Sequence, residues 1–147
     1  MPGGGRPAQR VSRPTGCQGG GGVRGAVTTF PATRIMAALT AAYGVFALAR
    51  PQHLPDAMNA SGTERGTLLG FARAYGVRDL AISSAALSGR PRLAPTAAAL
   101  RIASDLSDCV LLLRRTGDLG VRAKIAGATL GWATLNAVAL ARDLRRR

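Results

Sequence analysis

Two apolar stretches of this sequence, residues 66–89 and 93–113, each contain three charged side chains. The six are Arg73, Arg78, Asp79, Arg101, Asp105 and Asp108. Carboxylates and guanidinium groups inside apolar segments either pair with one another or line a polar path for a proton or a ligand. Because three of the six are Arg and three are Asp, their formal charges sum to zero. The sequence therefore predicts that each of the six charged side chains pairs with another member of the set.

Helical spacing predicts how these charges pair. Arg101 and Asp105 stand four residues apart, which places them on one face of a helix as an ion pair. Arg78 is then available to Asp105 or Asp108 across a short turn at residues 89–92. Asp79 is available to Arg101 or Arg73. Because the turn is short, the two helices that carry these charges are expected to be neighbours.

Tyr75 precedes Arg78 by three residues and Asp79 by four, so its hydroxyl is placed to join the same group. The candidate buried polar network is Arg73, Tyr75, Arg78, Asp79, Arg101, Asp105 and Asp108. Two interpretations remain open. The network either lines a site or path for a small ligand or a proton, or is a salt-bridge cluster that fixes the register of the helices.

No catalytic or metal-binding pattern accompanies the charges. The sequence contains no nucleophile elbow, phosphate-binding loop or dinucleotide fingerprint. Its two Cys residues exclude a disulfide scaffold and a zinc finger, and a single His, His53, excludes a His-rich metal site. We assign no catalytic, cofactor-binding or metal-binding residue, and the sequence leans away from an enzyme. The cofactor, if there is one, stays unknown.

Four apolar stretches predict the helices that position the network. They cover about residues 32–50, 66–89, 93–113 and 123–142. Pro51 ends the first and Gly89 ends the second. Short connections between helices favour antiparallel neighbours. The fold class is therefore predicted as all-α, with residues 31–147 forming an antiparallel four-helix transmembrane bundle.

The membrane prediction depends on the first and fourth helices. Residues 35–49 and 125–141 contain no charged side chain, and a membrane span needs about 20 apolar residues. A small soluble bundle cannot bury two such helices completely. The alternative is a soluble bundle in which Arg101, Asp105 and Asp108 form a solvated face. We favour an integral membrane protein whose main partner is the lipid bilayer.

The basic residues predict the orientation of this bundle. Residues 1–30 are rich in Gly and Arg, contain no acid and are predicted to be a disordered tail without a secretory signal. Four spans place this tail, the turn at residues 89–92 and the C-terminal Arg residues on one side of the membrane. Most of the Arg residues lie on that side, which predicts that both termini are cytoplasmic.

The charged positions also resemble a known family. The segments Gly76-Val77-Arg78-Asp79-Leu80 and Arg101-Ile102-Ala103-Ser104-Asp105-Leu106-Ser107-Asp108 are similar to two motifs of the small four-helix bacterial membrane proteins of domain-of-unknown-function family 4267 and its relatives. The resemblance covers about residues 32–142. Ser83 and Ser84 stand where the family often has Gly. The resemblance implies a four-helix fold and a multi-pass location in a bacterial plasma membrane, but no established activity.

Three function classes follow from these observations. The first is an integral membrane protein that binds or transports a small ligand or a proton, or acts as an accessory subunit, as a homo-oligomer or with a membrane partner. The second is a membrane-bound accessory of a redox or other enzyme. The third is a soluble, basic, helical protein that binds nucleic acid, which the net charge of +13 suits. Scattered Arg residues and an aromatic content of 4% disfavour the third.

Overall fold

A computed structural model describes residues 30–146, and within this range every regular element is a helix. The helices are α1 (Pro31–Ala49), α2 (His53–Ala57), α3 (Gly62–Leu87), α4 (Leu93–Leu113) and α5 (Leu119–Arg145). The prediction of an all-α fold is confirmed for this range. The predicted disordered tail, residues 1–30, lies outside the described residues apart from Phe30.

Local signals explain where the long helices begin and end. Pro31 stands at the first position of α1, where a missing N–H leaves no bond unmade. Gly89, just past the end of α3, has a φ of 80°, which glycine adopts without strain. Asp118 caps α5 by accepting a hydrogen bond from the Val121 amide at 2.8 Å. This cap starts α5 at Leu119, four residues earlier than the hydrophobic pattern indicated.

The short helix α2 is an element that the sequence analysis did not predict. It follows Pro51, and its first residue is anchored to α1 by two contacts. The hydroxyl of Tyr43 lies 2.9 Å from Nε2 of His53, and Nδ1 of His53 lies 2.7 Å from the carbonyl oxygen of Arg50. His53 is therefore held against the C-terminal end of α1. Five residues are too few to show a helical hydrophobic period.

The four long helices form a closed ring with antiparallel neighbours. α1 packs most extensively against α3 and α4 against α5, and the pairs α3–α4 and α1–α5 complete the ring. The start of α1 meets the ends of two neighbours. The amides of Ala32 and Thr33 donate to the carboxylate of Asp143 at 3.3 and 2.8 Å, and Arg34 donates to the carbonyl of Leu87 at 3.1 Å.

The bundle is narrow at one end and wider at the other. Near the start of α1, the core is the small cluster Ala37, Ala86 and Ala97. Toward α2, larger side chains fill the interior: Met58, Leu68, Leu112, Val121 and Ile125. Because alanine side chains let backbones approach closely, this difference leaves more space between the helices at the α2 end.

α1 and α3 approach each other most closely at two glycines. A Cβ atom added to Gly76 would lie 2.8 Å from Cγ of Leu48 and 2.9 Å from the carbonyl oxygen of Gly44. The latter neighbour is backbone and cannot move without shifting the helix. Any side chain at residue 76 therefore pushes α1 and α3 apart.

Hydropathy alone marks one membrane-spanning candidate among the described residues. α1 is long and apolar enough to cross a membrane by length and composition, and 33% of its apolar stretch is buried in the protein. α3, α4 and α5 do not meet this criterion, so it does not support the expectation that the last long helix is also apolar enough to span a membrane. The charged residues of the network lie in α3 and α4.

We expect Gly76→Ala to destabilise the fold by about 1–3 kcal/mol, because the new methyl group overpacks the contact between α1 and α3. Gly127→Ala is the matched control, since a Cβ atom at Gly127 meets nothing within 4 Å. Alanine there should be neutral or stabilising by up to about 1 kcal/mol, through its helix propensity. Equilibrium unfolding of the two purified variants measures the difference. Equal stability of the two would contradict the close approach.

Candidate functional site

Arg78 joins α3 to α4 through a two-bond ion pair. Its Nη1 donates to Oδ1 of Asp108 at 2.9 Å and its Nη2 donates to Oδ2 of the same carboxylate at 2.7 Å. Nε and Nη2 of Arg78 also donate to Oδ1 of Asp79 at 3.2 and 3.0 Å. Bidentate pairing of this kind fixes the orientation of both groups.

Arg101, like Arg78, pairs with two carboxylates. Its Nε donates to Oδ2 of Asp105 at 3.2 Å and its Nη2 donates to Oδ1 at 2.5 Å, which is the expected pair along α4. Nη1 of Arg101 forms an ion pair with Oδ1 of Asp79 across the interface with α3. The Asp79 oxygen is thus shared by two guanidinium groups. The charges alternate in the order Asp108, Arg78, Asp79, Arg101, Asp105.

These charged groups lie in the interior of the bundle. Asp79, Asp105, Asp108 and Arg101 are buried, and Asp79 is only 1% exposed. The side chain of Arg78 retains 28% exposure. On α4 the residues stand at positions i, i+4 and i+7, so one face of the helix turns all three toward α3. Burial of this many charges is tolerated only when they are paired.

The structure places two predicted members of the network differently from the rest. Arg73 is exposed on α3 and forms no ion pair with any residue in the range 30–146. Tyr75 lies beside the network, with Cζ of Arg78 5.0 Å from its ring centroid in a cation–π contact. Its buried hydroxyl has no hydrogen-bond partner among the described side chains and backbone. Without Arg73, the network contains three Asp and two Arg residues.

A cavity of about 470 Å³ lies against the network, in the half of the bundle that contains α2. Every helix contributes to its wall, which is mostly apolar and includes Leu54, Met58 and Ile125. All five charged members of the network line it. Pockets that bind small molecules have this size and this mixture of apolar wall and few polar groups.

Five polar or aromatic wall residues were not identified as site residues from the sequence. They are Tyr43 from α1, His53 from α2, and Lys124, Thr129 and Trp132 from α5. Nε1 of Trp132 donates to Oγ1 of Thr40 at 3.1 Å, which holds the indole in place between α5 and α1. The sequence contained a signal for Trp132 and Tyr43, because aromatic side chains are scarce here and both occur in the uncharged stretches 125–141 and 35–49.

The candidate site combines paired charged groups with a mostly apolar wall. Among residues 30–146, no group of three or more His, Cys, Asp and Glu side chains is placed to hold a metal ion. Cys109 is buried and forms no disulfide within the same range. The network instead provides fixed charges on the wall of an apolar cavity, where electrostatic interactions are stronger than in water.

No protein-family model, curated protein or solved structure matches this chain. The resemblance to domain-of-unknown-function family 4267 therefore stays a prediction from the two charged motifs. The site is interpreted from its own geometry.

We expect Arg101→Gln to lower the free energy of unfolding by about 3–5 kcal/mol, because it leaves buried carboxylates without their partner. The control is Arg65→Gln, which removes a surface ion pair whose members, Arg65 and Asp56, are 42% and 58% exposed. That change should cost about 1 kcal/mol or less. Equilibrium unfolding of both variants tests the difference. A loss for Arg101→Gln as small as that for Arg65→Gln would show that the network does not hold α3 to α4.

Proposed function

We propose that this protein is an integral membrane protein whose long helices α1, α3, α4 and α5 enclose a binding site for a small ligand. The observation that carries the proposal is the distribution of side chains between the interior and the surface. It departs from the distribution in a water-soluble protein, because several charged side chains are buried while many large apolar side chains are exposed.

Charged and small residues occupy the interior. Besides the network, Asp143 and Asn136 are buried, and most of the buried apolar residues are alanines. Alanine-rich contacts between helices are typical of membrane proteins, in which small residues allow backbones to pack closely. Such an interior buries little apolar surface, so the hydrophobic effect contributes less to holding these helices together in water.

Large apolar side chains lie on the outside of all four long helices and are numerous on α1, α4 and α5. Ile35 on α1 is 63% exposed, Val77 on α3 60%, Leu100 on α4 55% and Val138 on α5 58%. They belong to a longer series that includes Leu39, Val45, Phe46, Leu106, Val110, Leu111, Leu130 and Leu135. An apolar surface of this extent is unfavourable in water and favourable against lipid.

The lengths of the helices fit the same proposal. With 19, 26, 21 and 27 residues, α1, α3, α4 and α5 extend roughly 28–40 Å at about 1.5 Å per residue, against about 30 Å of hydrocarbon. A core helix of a soluble protein is mostly buried, whereas only 33% of the apolar stretch of α1 is. The charges of α3 and α4 lower the hydropathy of these helices, but most of them face one another inside the bundle.

The orientation that we propose has both termini in the cytoplasm. Arg142 and Arg145 stand at the end of α5, and Arg34 near the start of α1, which the ring of helices brings to the same end of the bundle. The positive-inside rule favours the cytoplasm for this end. The resemblance to domain-of-unknown-function family 4267 supports a multi-pass protein of a bacterial plasma membrane.

Within this frame, the cavity beside the network is the site that we propose for the ligand. Intramembrane charged residues are expensive and are typically retained at ligand or ion sites. Here they line a cavity of about 470 Å³. Whether the protein binds a ligand, transports it or acts as an accessory subunit, the first step that we propose is occupation of this cavity.

Alkaline carbonate extraction of membranes from cells that express the full-length chain with a C-terminal tag tests the membrane proposal. We expect the protein to remain in the pellet and to require detergent. Release into the soluble fraction would overturn the proposal. Salt-dependent DNA binding by that soluble protein would then favour a nucleic-acid function. A tightly bound redox cofactor in the detergent-purified protein would favour the enzyme-accessory alternative.

A charge on the outer surface provides a sharper test. Leu135→Arg places a cation near the middle of α5, where the side chain is 52% exposed. At the centre of a bilayer this costs about 2.5–3.5 kcal/mol, so membrane insertion should fall. Leu119→Arg is the control, because Leu119 is 81% exposed at the end of the same helix. A glycosylation-based insertion assay compares the two. Equal insertion would contradict a lipid-facing position for Leu135.

A further inference from the structure

We propose that the cavity binds an organic monocation with an apolar or aromatic body, and that the positive charge of this ligand lies against Asp79. This inference rests on the proposed ligand site and adds the chemical class of the ligand. Three independent features of the cavity wall carry it: its free hydrogen-bonding groups, its charge and its aromatic rings.

The nitrogens of both guanidinium groups in the network already contact carboxylates. Each of the three nitrogens of Arg78 donates to Asp79 or Asp108. Each of the three nitrogens of Arg101 contacts Asp79 or Asp105. An anionic ligand that approached either residue would also meet the negative charge of the carboxylates paired with it.

An acceptor, by contrast, is left unused. Oδ2 of Asp79 is buried and has no hydrogen-bond partner within residues 30–146, while Oδ1 of the same carboxylate serves both arginines. Asp79 lines the cavity and is 1% exposed. A buried acceptor without a donor is costly, so a ligand that brings a donor or a positive charge gains this interaction.

The charge of the network points in the same direction. Three carboxylates face two guanidinium groups, which leaves an excess of one negative charge in the interior. The other titratable groups on the wall are Tyr43, His53, Tyr75 and Lys124. In the described part of the chain, none of the four forms an ion pair with a network carboxylate, and Lys124 is exposed. A bound monocation would balance the excess.

Aromatic rings complete the site. Tyr43 and Trp132 come from two different helices and line the cavity together, whereas the ring of Tyr75 already contacts the guanidinium group of Arg78. The faces of such rings attract cations, with Trp the strongest, and their flat surfaces accept an aromatic or apolar body. At the narrow end of the bundle, a second cavity has about 10 Å³, room for a water molecule at most. The ligand therefore belongs in the wider cavity.

The test compares two probes of the same shape and opposite charge, tetraphenylphosphonium and tetraphenylborate. Each is dialysed to equilibrium against the detergent-purified full chain, and empty micelles correct for partitioning. We expect tetraphenylphosphonium to bind at least about tenfold more tightly, a difference of about 1.4 kcal/mol. Preference for tetraphenylborate, or equal binding, would overturn the choice of a cation while leaving a ligand site. Binding of neither probe would overturn both, and carbonate extraction separately decides the membrane location.

Two substitutions assign the preference to the network. Asp79→Asn removes the excess charge but keeps an oxygen for the two arginines, and it should abolish the preference for tetraphenylphosphonium. Glu64→Gln is the matched control, because Glu64 is exposed on the first turn of α3 and lies outside the cavity. It should bind both probes like the unaltered chain. An Asp79→Asn protein that folds and keeps the preference would contradict the role of Asp79.

Lys124→Gln keeps the proposal testable if Asp79→Asn does not fold. Lys124 is exposed and lines the cavity, so its removal leaves the network intact and takes a competing positive charge from the wall. We expect binding of tetraphenylphosphonium to strengthen by a factor of about 2–5, since a partly solvated charge contributes about 1 kcal/mol or less. Weaker binding of tetraphenylphosphonium in this variant would overturn the proposal.

Discussion

One carboxylate oxygen, Oδ1 of Asp79, is the point on which the described bundle depends. It accepts from the guanidinium group of Arg78 on its own helix and contacts that of Arg101 on the neighbouring helix. Each arginine then holds a further Asp of α4. Because these charges are bound to one another, α3 and α4 can turn them inward and present apolar residues outside. Without this pairing, the charged side chains of the network could not lie inside the bundle.

The cavity follows from the way in which the helices are spaced. Gly44 and Gly76 bring α1 and α3 into backbone contact, and the alanine cluster closes the end where α1 begins. At the other end, larger side chains hold the helices apart, and α2 covers the space between them. The network therefore lies between the tightly packed end of the bundle and the wider end that contains the cavity. One part of it is enclosed in protein, and another part faces the cavity.

The sequence predicted the parts of this arrangement that depend on local spacing. The long helices follow from apolar stretches and stop signals, and the pair between Arg101 and Asp105 follows from their separation of four residues. Features that depend on the mutual rotation of the helices could not be predicted. Arg73 points away from α4 although it lies near Arg78 in sequence, because five residues of helix turn it to another face. Tyr43, His53 and Trp132 come together only when the ring closes.

The two interpretations of the network, a structural cluster and a functional site, apply to different atoms of the same residues. The paired atoms hold α3 against α4, and a neutral cluster would be sufficient for that purpose. The third carboxylate adds a negative charge that a purely structural cluster has no need of, and Oδ2 of Asp79, a residue that lines the cavity, has no donor among the described residues. An unbalanced charge in this position lowers stability when the cavity is empty. The same imbalance favours a cationic ligand, because the ligand restores neutrality without disturbing the pairs that hold the helices together.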